Sequence, residues 1–467
     1  MRERWGIVGG GLLGMTLAHR LAQRGRQVTL IEGADRPGGL AAAWRLGEVE
    51  WDRHYHVILP SDARLLALLG ELGLEGEMVW RPTRTGAYGG GRLYSVSNAV
   101  ELLRFPLLSP VDKLRLAGTV FYASRIRDGR RLERVPVADW LRRWSGRRAL
   151  ERFWLPLLRS KLGDSYRQTS AAFIWATLAR LYAARCAGLK QELLGYVRGG
   201  YARVLARFAA KLAAEGVEVR LGQPAARVAA AAPPAGVAVD LAGGERLCFD
   251  QVVVTLAAPL AARVCEGLAA AERERLAGVR YLGIVCASLL LRRPLAGFYV
   301  TNLLDAGLPF TGVVEMSALV DARDLGDRSL VYLPRYLSPD DPFFTVSDAA
   351  VEELFTGALG RLFPGFRRAD VDCFRVSRVR QVMALPTLDY SSRLPPVSTS
   401  VPGLHLASSA HIVNGTLNVN ETVDLAERTV RRLLAGVPAA PYAGKGEEAA
   451  GAPAGEWGGG RRLRAAR

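Results

Sequence analysis

"RWGIVGGGLLGMTLAHRLAQRGRQVTLIEGADRPGG", residues 4–39, decides how this chain is read. Residues 5–8 are a short apolar run. Glycines follow at 9, 10, 11 and 14, then a helix-like stretch to about Arg24, then a second apolar run, "QVTLIE", at 27–32. That order opens a parallel β-α-β unit. Basic residues before an apolar run also have the outline of a secretion signal, but four glycines interrupt the run. The spacing Gly9-x-Gly11-x-x-Gly14, with Leu12 and Leu13 inside it, is that of a dinucleotide-binding turn. Gly9 permits the tight turn and Gly11 lets a pyrophosphate approach the backbone. Gly14 lets the helix pack closely on the strand, and the helix N-terminus then faces the phosphates. A glycine turn of purely structural use is the competing reading, and the strand–turn–helix–strand context weighs against it. Glu32 ends the second strand, where a carboxylate accepts hydrogen bonds from ribose hydroxyls and disfavours the extra phosphate of NADP. A second pair, Gly38-Gly39, follows closely. NAD has no need of it. FAD, whose ribityl chain and flavin run past the first unit, needs another close backbone approach there.

Composition sets the frame. The 467 residues are ample for two domains. The net charge is +17, carried almost wholly by arginine. It reflects either arginine-rich coding or an acidic partner, such as a phosphorylated substrate or an anionic membrane face. Nucleic acid is not expected, because no basic run is interleaved with aromatics. Cys186, Cys248, Cys265, Cys286 and Cys373 are scattered. They point to a reducing compartment and to neither a disulfide framework nor a metal site. No apolar stretch reaches the roughly 18 residues of a membrane span. The expected location is cytoplasmic, with peripheral contact at the inner membrane face left open.

Along the chain, "LLALLGELGL" (65–74) reads as a helix and "TGAYGGGRLYSVSN" (85–98) as a hairpin. Residues 99–195 read as mainly helical and basic. A glycine turn, helix and strand follow in 195–221, then a buried strand in "QVVVTLAA" (251–258). Strand-like runs occupy 280–335, and "GLHLAS" (403–408) is a late strand before a helix through about Leu434. The fold class is α/β: a FAD-binding Rossmann-like domain with an inserted α+β substrate domain. Residues 1–84, 196–265 and 395–436 form the first and residues 85–195 and 266–394 the second. The Ala-, Gly- and Pro-rich tail, 437–467, is expected to be disordered.

With these residues in view, E-x-x-D-R-x-G-G (32–39) resembles the flavin-containing amine oxidase superfamily, which includes monoamine oxidases, protoporphyrinogen oxidases and phytoene desaturases. The resemblance implies FAD, with Arg36 near the cofactor. Where that family often has Arg after the glycine pair, this chain has Leu40, which leaves backbone contacts. "GYVRGGYARVLARFAAKLAAEGVEVRLGQPAARV" is similar to the family's middle segment and implies a backbone contact from Ala225 to adenine. "VPGLHLASSAHI" and "GTLNVNETVDLA" look like its C-terminal flavin segment, with Leu417 and Asn418 at the ring. There the usual acidic ribityl contact is replaced by Ser408-Ser409, with Ser409 the candidate. Asn418 and Glu421 have the spacing of an N-cap and its capping-box partner. The dipole of the helix they open would stabilise negative charge on the reduced ring.

Four of the five histidines fall in two short stretches, "WDRHYHVILPSD" (51–62) and "GLHLASSAHI" (403–412). The first alternates as a strand would, so His54 and His56 are expected on one face. It is similar to the H-x-F-H segment of UDP-galactopyranose mutases, which implies that His56 lies beside the isoalloxazine ring. An imidazole there could move a proton near neutral pH. Satisfied core histidines are the plainer reading, most of all for His405 and His411. Lys161 could meet an acidic substrate or lie on a solvated face. Glu315, in an apolar strand, is either paired or functional. The segment 99–126 has large apolar residues with cations at intervals, which fits a helical core, a membrane surface or a lipophilic tunnel wall.

The function expected is FAD-dependent oxidation or desaturation of an organic small-molecule substrate, lipophilic or anionic, by hydride transfer to flavin N5. One alternative is a redox-neutral flavoenzyme of the UDP-galactopyranose mutase type. Another is a non-catalytic flavin-binding protein.

Overall fold

The computed structural model describes residues 2–185, 192–232, 236–413 and 415–436. The expectation for the tail therefore lies outside the described residues.

Arg4–Val8 and Gln27–Ile31 are parallel neighbours in a five-stranded sheet. Its spatial order is Leu404–Leu406, Gln251–Val254, Arg4–Val8, Gln27–Ile31 and Glu218–Arg220. Every pairing in it is parallel. Start, middle and end of the chain thus meet in one sheet. The strands are apolar at successive positions because both faces are covered. Ile7, Leu30 and Val253 face a core shared with the helices Leu12–Ala22, Gly200–Ala214 and Val419–Leu434. Their neighbours Val8, Ile31, Val252 and Val254 face a second core. That core is closed by the antiparallel strands Ala225–Ala230, Val237–Leu241 and Arg246–Phe249.

A seven-stranded sheet stands beside it, in the order Val371–Ala384, Tyr281–Leu291, Ser329–Leu337, Gly312–Glu315, Val300–Leu303, Thr85–Gly89 and Arg92–Ser95. The hairpin read at 85–98 is its last pair of strands. Helix Asp348–Leu362 packs through Val351, Phe355 and Leu359 on one face. On the other, Ile284, Cys286 and Tyr332 pack against Leu46, Trp51 and Tyr196. The helices Pro110–Arg125, Val137–Ser145, Leu155–Leu162 and Ala171–Arg185 share a separate core around Trp140, Trp154 and Phe173. The architecture is α/β, a dinucleotide-type parallel sheet joined to a mixed sheet.

Two elements depart from the sequence reading. Val371–Ala384 is a long edge strand that the alternation rule does not reveal, because arginines interrupt its apolar positions. Arg375 lies over the Trp44 ring at 4.5 Å and Arg378 reaches Asp348 at 2.6 Å. Conversely, the strand expected through the paired histidines ends at Asp52, so His54 and His56 lie on irregular backbone. No described helix is long and apolar enough to cross a membrane.

Candidate functional site

The first glycine turn is sterically closed to a side chain at Gly9, Gly10 and Gly14. A Cβ on Gly14 would lie 1.9 Å from the Gly9 carbonyl oxygen. Gly9 has φ +111°, with the Thr255 hydroxyl where its Cβ would fall. Gly38, at φ +125°, donates its amide to the Gly10 carbonyl at 2.8 Å. A Cβ on Gly39 would meet the Gly11 Cα at 3.2 Å. The two glycine segments therefore lie against each other as bare backbone. Leu12 and Leu13 point into the core below. Gly11 is the N-cap of helix Leu12–Ala22 and no side chain caps it, so its first amides are left for an outside acceptor.

Glu32 follows directly on the strand Gln27–Ile31, and its carboxylate is held by backbone amides. One carboxylate oxygen accepts from the Gly10 amide at 2.5 Å and the other from the Ala34 amide at 2.8 Å. The middle segment reaches the same place. Gln223 donates its amide to the Glu32 carbonyl at 2.9 Å, and Gly222 donates to Ala34 at 2.7 Å. Ala225 sits two residues on, at an irregular pairing with Leu241. The Gln223 side-chain oxygen is buried without a partner among the described residues. Arg36 is exposed and pairs with Glu50 at 3.1 Å.

Farther along, Leu40, Tyr55 and Leu417 each pack against the buried cluster that holds Trp51, Tyr299, Met316 and Tyr332. Tyr55 and Tyr336 share a hydroxyl hydrogen bond of 2.9 Å, and the Lys161 ammonium lies 5.1 Å from the Tyr336 ring centre. Asn418 caps helix Val419–Leu434 by accepting from the Glu421 amide at 3.0 Å, as the spacing predicted. Its amide group donates to the Thr416 carbonyl at 2.8 Å. Ser408 caps the short turn Ser409–His411. The buried Tyr281 hydroxyl accepts from the Ala258 amide at 3.1 Å.

The histidines separate. His54 is buried between the Leu40 carbonyl, 3.2 Å from Nδ1, and the Ser377 hydroxyl, 3.1 Å from Nε2. Burial lowers its pKa to about 4 and keeps it neutral. It joins the glycine-pair loop to the seven-stranded sheet. His56 faces elsewhere. Its Nδ1 is 2.9 Å from the His54 carbonyl and 3.7 Å from Asp52, and its ring is 4.9 Å from Tyr201. A carbonyl oxygen only accepts, so Nδ1 is the donor in this contact. His405 bonds Gln251 at 2.8 Å, and burial lowers its pKa to about 4. Buried His411 bonds the Pro395 carbonyl at 3.1 Å and the Ser408 backbone. The strand Leu404–Leu406 does join the sheet opened by Arg4–Val8, but His405 bonds the Gln251 side chain there, and His411, in the turn that follows, bonds backbone. Glu315 accepts three amides, from Leu295, Ala296 and Gly297, and is a structural carboxylate.

Sequence reading missed a group of residues that only the fold assembles. Asp52 accepts from the Tyr201 amide at 2.7 Å and so caps helix Gly200–Ala214 from outside. Arg180 reaches Asp62 at 3.1 Å and Thr416 at 3.5 Å. The Tyr201 hydroxyl and the Arg180 Nε are buried without partners among the described residues. No local motif marks any of them.

An uncapped helix over a backbone trough, a carboxylate at the end of the second strand and a second glycine pair define a dinucleotide-binding α/β protein. Residues 14–434 match the family of flavin-containing amine oxidoreductases, and the chain belongs to it. FAD is that family's cofactor, and its members are FAD-dependent oxidoreductases. The bare glycine trough and the unpartnered Gln223 and Tyr201 groups fit such a molecule. The chain is 30% identical over 143 residues to a protein described as a flavin-containing monoamine oxidase of Mycobacterium tuberculosis, covering 29% of this chain and 32% of that protein. It is 26% identical over 223 residues to a zeta-carotene desaturase of Synechococcus elongatus, covering 41% and 44%. The matches thus span less than half of those curated relatives. In fold it is similar to a protoporphyrinogen oxidase structure from Exiguobacterium sp. 255-15, with TM-score 0.73 and 17% identity over 93% of this chain and 99% of that one. It is also similar to reduced UDP-galactopyranose mutase, with TM-score 0.72 and 14% identity over 93% and 96%.

Proposed function

We propose that this protein is an FAD-dependent oxidase, dehydrogenase or desaturase acting on a largely apolar organic substrate. The observation that carries this is the group of tyrosines Tyr55, Tyr299, Tyr332 and Tyr336, in a buried cluster that Leu40 and Leu417 also border, where the glycine-pair loop meets the seven-stranded sheet. FAD supplies the hydride acceptor, so the chain's own part is to orient the substrate and exclude water. Gly9, Gly11, Leu12, Leu13 and Gly14 would hold the pyrophosphate, Glu32 the ribose and Ala225 the adenine. Gly38, Gly39, Leu40, Ser409, Leu417 and Asn418 would line the ribityl chain and ring. Arg36 bonds Glu50 at the surface, which supports a part at the rim rather than against the ring. His56, whose Nδ1 donates to the His54 carbonyl, is the candidate for holding a proton near the site. His54 positions the Leu40 loop. Lys161, over Tyr336, would meet a substrate carboxylate if there is one.

Anaerobic visible spectroscopy of the purified protein tests the reading. A flavin spectrum bleached by an apolar substrate, and restored by oxygen or a quinone, is expected. A protein that neither carries nor takes up FAD overturns it. Turnover of a UDP-sugar only after prior reduction of the flavin selects the mutase chemistry instead.

A further inference from the structure

Most helices of a globular protein turn their apolar face inward. Helix Pro110–Arg125 does the reverse over part of its length. Its inner face buries Asp112, Leu116, Thr119 and Ala123. Its outer face presents Val111, Leu114, Gly118 and Phe121, spaced three or four residues apart. Leu114 is 75% exposed and Phe121 51%, and Leu103 on the adjoining helix Ala99–Arg104 is 67% exposed. Val100, Tyr122 and Trp144 extend the same region, and elsewhere among the described residues only Leu221 and Leu354 are large, apolar and exposed. A contiguous apolar patch of this kind marks an interaction surface.

The surroundings say what covers it. Residues 101–150 hold twelve Lys or Arg against five Asp or Glu. Arg125 lies over the Phe121 ring at 4.7 Å. At the end of the helix a surface pocket of about 350 Å³ is lined by Tyr122, Ile126, Arg127, Asp128, Arg131 and Leu132. Asp128 is bonded to Arg130 at 3.1 Å, while Arg127 and Arg131 make no ion pair among the described residues. Tyr122 stacks on Trp144 at 3.9 Å, an aromatic pair of the type that sits at headgroup level. Apolar side chains ringed by cations, beside a cationic pocket, match acyl chains beneath anionic headgroups. A second copy of the same face would bring like charges together.

We propose that the outer face of Ala99–Arg104 and Pro110–Arg125 docks on an anionic lipid bilayer, with Leu103, Leu114 and Phe121 inserted and Arg127 and Arg131 receiving a lipid phosphate. Helix Ala171–Arg185 packs against the inner face of Pro110–Arg125. Trp175 of Ala171–Arg185 donates to the Ala123 carbonyl at 3.0 Å, and Arg180 of the same helix reaches Asp62.

Vesicle flotation of the full-length holoprotein tests this. Vesicles of phosphatidylcholine alone are compared with vesicles in which a third of the lipid is phosphatidylglycerol. Wild type is expected to float with the second and remain behind with the first. The L114D/F121D variant is expected to lose about thirtyfold in partitioning, and R127E/R131E about tenfold. Because these residues are exposed, both variants should keep the wild-type Tm and flavin spectrum. Wild type that ignores phosphatidylglycerol overturns the proposal, as does L114D/F121D floating like wild type. A dimer seen by light scattering and abolished in L114D/F121D also overturns it, since a second copy would then be the occupant.

Discussion

Gly14 has no room for a methyl group, because the Gly9 carbonyl oxygen stands 1.9 Å from where it would be. Gly14→Ala must push the helix Leu12–Ala22 off its strand, at a cost of about 2 kcal/mol or more. The expected product is insoluble or free of flavin, and full flavin occupancy at wild-type Tm would count against the packing described. The paired histidines separate at this scale as well. His54 satisfies Leu40 and Ser377 in the interior. His54→Ala should therefore cost about 1–3 kcal/mol in denaturant unfolding. His56→Asn should leave stability within about 1 kcal/mol and lower kcat by about tenfold or more, with an altered pH profile. An unchanged profile removes His56 from the proposed chemistry. The glycines were legible because sterics act locally. The difference between His54 and His56 was not, since it depends on Ser377 and Tyr201, both remote in sequence.

Helix ends show the same divide among elements. Asn418 caps its own helix from the adjoining position, so spacing alone predicts it. Helix Gly200–Ala214 begins after Gly199, which has no side chain to offer, and Asp52 supplies the cap from a different strand. Asp52→Ala leaves the buried Tyr201 amide without its acceptor. The expected loss is about 1–3 kcal/mol by thermal or urea unfolding, largely recovered in Asp52→Asn. Equal stability of the two variants would assign the role to something other than the hydrogen bond. The edge strand Val371–Ala384 escaped notice for a related reason. Its arginines bind Trp44 and Asp348, and neither partner is visible in the strand's own periodicity.

Across the whole molecule, neutral buried histidines set the response to acid. Burial holds His54 and His405 at a pKa of about 4, below the ordinary value of 6.5, and lowers His411 as well. Between about pH 6.5 and 4 the unfolded chain binds protons that the folded chain refuses, so stability falls as pH falls through that window. The slope is up to about 1.4 kcal/mol per pH unit for each such group. Glu71, held at about 2 by His19 and Arg20 against the opposing effect of burial, adds a further loss below about pH 4.5. Thermal melts from pH 7.5 to 4 should show Tm declining below about pH 6.5, with a shallower decline in His405→Gln. A flat profile would mean that these imidazoles are solvated. The sequence by itself determined the parallel β-α-β opening, both glycine pairs, Glu32, the cap at Asn418 and the family that follows from them. Each of these rests on neighbours within one turn or one strand, where covalent connection already decides which groups meet. Only the tertiary structure decided which histidine is buried, that Asp52 caps a remote helix and that Arg180 joins Asp62 to Thr416. It also decided that the apolar stripe of Pro110–Arg125 faces outward. In each case the deciding partner lies far along the chain, and burial, which sets hydrogen-bond satisfaction and charge, is a property of the assembled sheets rather than of any segment.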